Sequence, residues 1–447
     1  MTDVTATRLP PPAPRRVVVT GLGTVTSIGI GVGEFLTALR EGRNGARPIT
    51  AFDTTGFAHA NGCEVTGFDP GRWITRTPAE RLGRAAQFST AAAVMALADS
   101  GMTPEELRAR RSLVCVGTTD GESADLDRLV AAELADGPEN LDPRVAARTS
   151  AARLSSAVVA ELGLTDVEAT TLATACAAGN YAIGYGLDAL RGGDVQAALV
   201  GGADAMCRKT FTGFYRLGTI APENCQPFDR NRKGILTGEG AGILLLETLD
   251  SALARGARIY CEILGYGLNC DAHHPVAPDR DSIARCIQRA HADADVKPDQ
   301  VDFISAHGTG TRANDVTEAA AIRQVFGPRP PATVSIKSMI GHTMGAASAL
   351  ASAACALAIA EGFIPPTINH VETDPDCALD CVPNAPRRAD LRVVQNNALA
   401  FGGNNAVLML GRCTPDAAPA AAAPAAAEAA AVGADRAGPA TAAGARG

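Results

Sequence analysis

The chain has 447 residues, 46% of them apolar, enough for one large domain, two fused halves or several small domains with a sizeable core. Its 40 basic and 48 acidic residues leave a net charge of −8, which argues against general nucleic-acid binding without forbidding a local basic patch. No run of about 20 apolar residues is present to span a bilayer, and the N-terminal MTDVTATRLPPPAPRR lacks a signal-peptide core, so a soluble cytoplasmic protein is expected.

In chain order, residues 1–14 form a Pro-rich polar tail expected to be disordered. RRVVVTGLG then reads as a buried strand ending in a tight turn. Gly21 and Gly23 match two glycines of a dinucleotide fingerprint, but Thr26 replaces the third, so a plain strand-to-turn junction is the better reading. AAQFSTAAAVMALADSG reads as a helix and SLVCVGTT as a strand. EATTLATA is a strand running into Cys176; Tyr181, Ile183, Leu187 and Leu190 then fall at helical spacing up to Gly192 and Gly193. A cysteine at this strand–helix junction meets free N–H groups and the positive helix end, which favour a thiolate. Inert core is the alternative for Cys176.

VQAALVGGADA and GAGILLLETL are further strands, and MCRKTFTGFYRLG between them has no assignable role, though it could line a substrate tunnel. VDFISAHGTGT is a strand whose end carries His307, with Asp315 and Glu318 at the start of the following helix. ATVSIKS is a strand ended by Lys337, and His342 precedes the Ala/Ser-rich helix MGAASALASAACALAIAEG. A lysine in such apolar surroundings needs a carboxylate partner, for which Glu318 and Asp315 are the candidates. The histidines could equally be a loop-satisfied residue and a helix cap, and Lys337 a surface residue. In NNALAFGGNNAVLML, Phe401 lies between two strand-like segments before Gly402 and Gly403. Residues 413–447 are Ala/Pro/Gly-rich, and disorder is expected there.

Strands alternating with helices indicate an α/β architecture with buried sheets, most economically layered α/β/α. No exact sequence repeat and no GxxxxGK[ST] motif is present. The 12 cysteines contain no CxxC pair, so neither a disulfide framework nor a zinc site is expected.

A cysteine, two histidines and a lysine at element ends, in the order Cys…His…Lys…His, are more specific together than singly. TACAAG, AHGTGT, KSMIGHTMGAA and FGGNN resemble, in order, the motifs of the β-ketoacyl-acyl carrier protein synthases of the thiolase superfamily. RRVVVTGLG, PFDRNRKGILTGEGAGILLLE and PPTIN are also similar to family stretches, and the resemblance runs from Arg15 to Gly411. It implies a five-layer α/β/α/β/α fold of two duplicated halves, placed at 15–265 and 266–412. It implies that Cys176 takes the acyl chain as a thioester and that His307 and His342 stabilise the enolate formed on decarboxylation. Lys337 would support the histidines through Glu318 or Asp315. Thr309 and Thr311 would hold a phosphopantetheine arm. The N–H groups of Cys176 and Phe401 would form an oxyanion hole, with Phe401 gating the acyl pocket. No metal or bound cofactor is implied.

The partners implied are an acyl carrier protein, with Arg81, Arg208 and Lys209 as candidate docking cations, and a second subunit. That subunit is a copy of the chain or a chain-length-factor-like protein; such factors lack the cysteine, so Cys176 marks a catalytic subunit. Ser27 replaces a proline common in the family. FGGNNA and GTGTRANDVTEAAA are more similar to type II polyketide ketosynthases than to housekeeping fatty-acid enzymes. Fatty-acid elongation and a CoA-dependent condensing enzyme are the alternatives.

Overall fold

A computed structural model describes residues 14–414. The tails expected at 1–14 and 413–447 lie outside the described residues, apart from Pro14, Cys413 and Thr414.

The principal elements of the first half are β1 (Val17–Thr26), α1 (Arg84–Asp99), β2 (Ser112–Gly117), α2 (Ser123–Asp136), α3 (Arg153–Leu162), β3 (Val167–Leu172), α4 (Ala178–Gly192), β4 (Ala197–Asp204), α5 (Arg208–Arg216) and β5 (Gly240–Thr248). The second half contains β6 (Cys261–Cys270), α6 (Arg280–Ala294), β7 (Phe303–Ser305), α7 (Arg312–Phe326), β8 (Ala332–Val334), α8 (Ala347–Glu361), β9 (Val393–Leu399) and β10 (Asn404–Gly411). The strands join in the order β8-β7-β9-β10-β6-β1-β5-β4-β2-β3.

Only three residue pairs, Val17–Ile263, Val18–Glu262 and Val19–Cys261, link β1 to β6. On either side of that seam the pairing pattern is the same. In the first half β2 is parallel to β3 and β4, while β4–β5 and β5–β1 are antiparallel. In the second half β7 is parallel to β8 and β9, while β9–β10 and β10–β6 are antiparallel. The duplication, invisible as a sequence repeat, is plain in the backbone.

Side-chain alternation distributes the core. On β5, Ile243 and Leu245 pack outward with Leu97, Val114 and Val158, whereas Leu244 and Leu246 pack inward with Ile183, Leu187 and Leu350. On β10, Leu408 and Leu410 join that same inner core, and Val407 and Met409 face Ile283, Ile287 and Ile322. The layers are therefore α1/α3, first sheet, α4/α8, second sheet, α6/α7: five layers, as the family resemblance implies and two more than composition and alternation alone suggested.

Two features differ from the sequence reading. The ten-residue strand β6 was not anticipated, and the boundary expected at 265/266 falls inside it. Its Gly265 and Gly267 weaken the strand signal. A Cβ on Gly265 would stand 2.7 Å from the Ala294 nitrogen and one on Gly267 2.5 Å from the Cys286 carbonyl, so these glycines let α6 lie directly on the strand. The segment Met344–Glu361, which includes α8, is long and apolar enough to cross a bilayer, but 89% of it is buried between the sheets. Its apolar character belongs to a central core helix.

Candidate active site

Cys176 lies in the short turn Ala175–Ala177 between β3 and α4, and is 5% exposed. Ala175 has φ 49°, a left-handed conformation that costs a residue with a Cβ about 1–2 kcal/mol. That tight elbow swings the chain directly into α4 and sets the sulfur at the helix's N-terminal end. The second half repeats the device: Met344 has φ 51° in the turn Met344–Ala346 ahead of α8, with Gly345 where the first half has Cys176. The helix end does not suffice to make a resting thiolate. Burial pushes the Cys176 thiol up to about 12, against the lowering influence of the Lys337 ammonium. The resting group is the thiol, and the thiolate favoured on local grounds must form as the reaction proceeds.

The turn after β7 is braced at every peptide from His307 to Gly310. The Glu318 carboxylate accepts from the N–H groups of His307 and Gly308, both at 2.8 Å. Asp315, one helical turn earlier on α7, accepts from those of Thr309 at 3.1 Å and Gly310 at 3.2 Å. On the carbonyl side, Lys337 Nζ donates to His307 at 2.6 Å and Ser335 Oγ to Gly308 at 2.7 Å. The Cys225 thiol donates to the Thr309 carbonyl at 3.3 Å, and the Gly234 N–H to that of Gly310 at 2.9 Å. No buried peptide group of this turn is left orphaned.

Lys337 differs from the sequence expectation twice. It opens the short helix Lys337–Ile340 rather than ending a strand, and among the described residues it forms no ion pair with Glu318 or Asp315. The physical reason is that both carboxylates are already occupied by backbone donors, so Lys337 reaches the histidine's own carbonyl directly. It is fully buried, which lowers its pKa against the opposing pull of Glu318.

His342 Nδ1 accepts from the Met344 N–H at 3.2 Å, which leaves its proton on Nε2. The His307 and His342 rings are 5.5 Å apart at an interplanar angle of 80°. Burial, then the Lys337 charge, hold both well below the usual imidazole range. They are neutral rings, each carrying one N–H to donate.

One cleft is lined by Cys176, His307, His342, Thr309, Thr311 and Phe401. The Thr309 and Thr311 hydroxyls are 2.9 Å apart, and Thr311 also caps α7. Phe401 is 37% exposed at the rim, in a turn where Gly402 and Gly403 both have φ 81°. The Gly402 N–H donates to the Pro275 carbonyl and the Asp271 N–H to that of Gly403, so the turn is tied to the segment 271–278.

Two parts of the cleft were not assigned from the sequence, the first of them a stretch read there as a possible tunnel lining. Phe214 of α5 lies 5.4 Å from the Phe401 ring and 6.5 Å from that of His342, placing the unassigned MCRKTFTGFYRLG stretch in the wall. The segment around Asp271, His274 and Pro278 also lines it; the AHHPVAP run carries no periodicity by which to place it. Among the candidate docking cations, Lys209 Nζ is engaged by Asp120 at 2.8 Å and Ser123 Oγ at 2.9 Å. Arg208 lies over the Phe57 ring at 4.9 Å, and Arg81 is exposed.

This arrangement is a buried thiol and two neutral imidazole donors lining one cleft. The β-ketoacyl synthase N-terminal domain matches residues 14–252, and the C-terminal domain matches 260–371. The chain belongs to the β-ketoacyl synthase family. The family is one of condensing acyltransferases with the thiolase-like fold described above. The synthase is 39% identical over 405 residues to the 3-oxoacyl-[acyl-carrier-protein] synthase 2 of Synechocystis sp., covering 88% of this chain and 97% of that one. It is 60% identical to a chain of the ishigamide ketosynthase/chain length factor structure, covering 90% of this chain and 100% of that one, with a TM-score of 0.89. A type II polyketide synthase acyl-carrier protein in complex with its ketosynthase bound to the hexaketide is 30% identical, covering 90% and 100%, with a TM-score of 0.82.

Proposed function

We propose that this synthase is the catalytic ketosynthase subunit of a type II polyketide system, extending an acyl chain held on Cys176 with a malonyl unit presented by an acyl carrier protein. The observation that carries the chemistry is the pair of neutral, buried imidazoles beside one thiol.

In the first stage the Cys176 sulfur attacks the acyl thioester and gives up its proton, and the carrier's thiol leaves with a proton. In the second, malonyl thioester binds, its C–C bond to the carboxylate breaks and CO₂ departs. The electron pair becomes an enolate whose oxygen accepts from the N–H groups of His307 and His342. The enolate carbon attacks the Cys176 thioester, and the resulting oxyanion accepts from the backbone N–H groups of Cys176 and Phe401. Collapse breaks the C–S bond, and the sulfur regains a proton. Thr309 and Thr311 present hydroxyls to the arm that delivers each thioester. The half-exposed Phe401 ring against Phe214 gates the cleft. The reading invokes no metal or bound cofactor.

A second subunit is supported by one side of the molecule. β3 is the outermost strand, paired among the described residues only with β2, and none of its residues is buried. α4, packed against it, exposes Tyr185, whose hydroxyl donates to Glu168 of β3, and elsewhere on the surface α2 exposes Leu126, Val130 and Leu134 at helical spacing. An open edge flanked by an exposed tyrosine, with further apolar residues on the surface, fits strand-to-strand association. The 60% identity to a ketosynthase/chain length factor favours a heterodimer with a factor-like partner, and the likeness to an enzyme named 3-oxoacyl-[acyl-carrier-protein] synthase 2 keeps fatty-acid elongation as the second reading.

The test is intact mass after incubation with a short acyl-carrier protein, wild type beside Cys176→Ala, alone and with a co-expressed factor-like subunit. An acyl increment on wild type alone supports Cys176 as acceptor. Polyketide-type extension only in the presence of the partner supports the heterodimer, whereas unaided elongation of saturated chains selects the fatty-acid reading.

A further inference from the structure

Arg232 lies outside the cleft, in PFDRNRKG between α5 and β5, and its side chain is 2% exposed. Its Nη1 donates to Asp374 Oδ2 at 2.5 Å and to the Asp229 carbonyl at 2.7 Å. Among the described residues its Nε and Nη2 have no hydrogen-bond partner. A guanidinium buried with two idle nitrogens is costly unless its charge is needed. Besides Asp374, the carboxylate paired with that charge is Asp315, whose Oδ2 lies 3.5 Å from Nε.

Asp315 has no exposure, and its other duties are fixed by geometry. Oδ1 accepts from the N–H groups of Thr309 and Gly310, and Oδ2 from that of Phe228 at 2.8 Å. Phe228 has φ 63°, a left-handed outlier for a buried aromatic. It is held there by Asp315 at its nitrogen and by the Asp374 N–H at its carbonyl, 3.0 Å away. Its ring closes the space beside Gly308. Arg232 thus sits between the carboxylates of Asp315 and Asp374, the two residues that hold Phe228 at its nitrogen and its carbonyl underneath the His307–Thr311 turn.

We propose that Arg232, anchored by Asp374, is a positioning residue for the Thr309–Thr311 turn, its charge keeping the Asp315 carboxylate under the N–H groups of Thr309 and Gly310. Arg232 acts through Asp315, never on the substrate, and the inference rests on the condensing reading above. The charged and titratable groups facing Asp315 are Arg232, Glu318, Lys337 and the thiols of Cys225 and Cys377. Burial raises Asp315 to about 6, and Arg232 opposes that rise. A protonated Asp315 accepts less strongly from the turn, so the active form is the ionised one, lost as pH falls.

The experiment measures kcat and KM for malonyl-carrier protein from about pH 5.5 to about pH 9, with melting temperatures for each variant. Wild type is expected to lose kcat/KM below about pH 6. Arg232→Gln is expected to move that acid limb up by about one pH unit or more, raising KM at neutral pH with recovery in alkali. Arg232→Lys, which keeps the charge, is expected to stay near wild type. Asp315→Asn, permanently uncharged, is expected to show raised KM at every pH and no limb near 6, and it decides the matter should the Gln variant not fold. A Gln profile parallel to wild type, or an acid limb persisting in Asp315→Asn, overturns the proposal. Wild type showing no Cys176-dependent condensation either alone or with a co-expressed factor-like subunit would instead overturn the condensing reading.

Discussion

The Lys337 ammonium donates to the backbone carbonyl of His307 at 2.6 Å, and so holds the peptide of the very residue whose ring it helps to keep neutral. Lys337→Met removes both effects. The His307 carbonyl loses its donor and the imidazoles lose the charge that opposes their protonation. Condensation is expected to fall by about 10²-fold, while Cys176 still accepts an acyl group. Single-turnover condensation beside intact-mass acylation separates the two, and unchanged condensation would refute the role given to Lys337.

In the proposed mechanism each imidazole supplies one donor to the enolate oxygen. His307→Ala and His342→Ala should each lower CO₂ release from malonyl-carrier protein by about 10²–10³-fold, and the double variant by less than the product of the two. Acylation of Cys176 should survive in both. Loss of acylation with decarboxylation intact would reverse the assignment.

Burial holds the Cys176 thiol at about 12. The thiolate fraction therefore rises about tenfold for each pH unit across the neutral range. Alkylation of Cys176 by iodoacetamide, followed by peptide mass, should accelerate without levelling off up to about pH 9. A plateau below about pH 8 would mean that the resting sulfur is already ionised.

Glu318→Ala orphans the buried N–H groups of His307 and Gly308. The expected loss of stability is about 1–3 kcal/mol for each orphaned donor, with condensation lost as the turn relaxes. Thermal unfolding beside wild type measures it, and an unchanged melting temperature would show that the turn does not depend on the carboxylate.

The two central helices meet through glycine. A Cβ on Gly179 would stand 2.6 Å from the Ala349 nitrogen. Gly179→Val should separate α4 from α8, costing about 1–3 kcal/mol or more and displacing Cys176. Normal stability together with full acylation would count against this contact as a determinant of the site.

Much of this protein is determined by sequence alone, because the signals are local. Apolar runs bounded by glycine mark β1, β2, β4, β5 and β10, and the strand–Cys176–helix and strand–His307 junctions follow from periodicity changing over a few residues. Ordered motifs from Arg15 to Gly411 carry the family and hence the five-layer fold. Tertiary structure decided the rest. Strand β6 is a strand because β10 and β1 pair with it and α6 packs onto its glycines, contacts between separate segments. Lys337 binds a carbonyl because Glu318 and Asp315 are filled by four backbone donors that the turn brings to them. Phe214 enters the cleft only once α5 is placed beside the Phe401 turn. The helix end invites a thiolate at Cys176, yet burial keeps the thiol, because desolvation sums over every neighbour that packs around the sulfur while the pattern along the chain records only those adjacent in sequence.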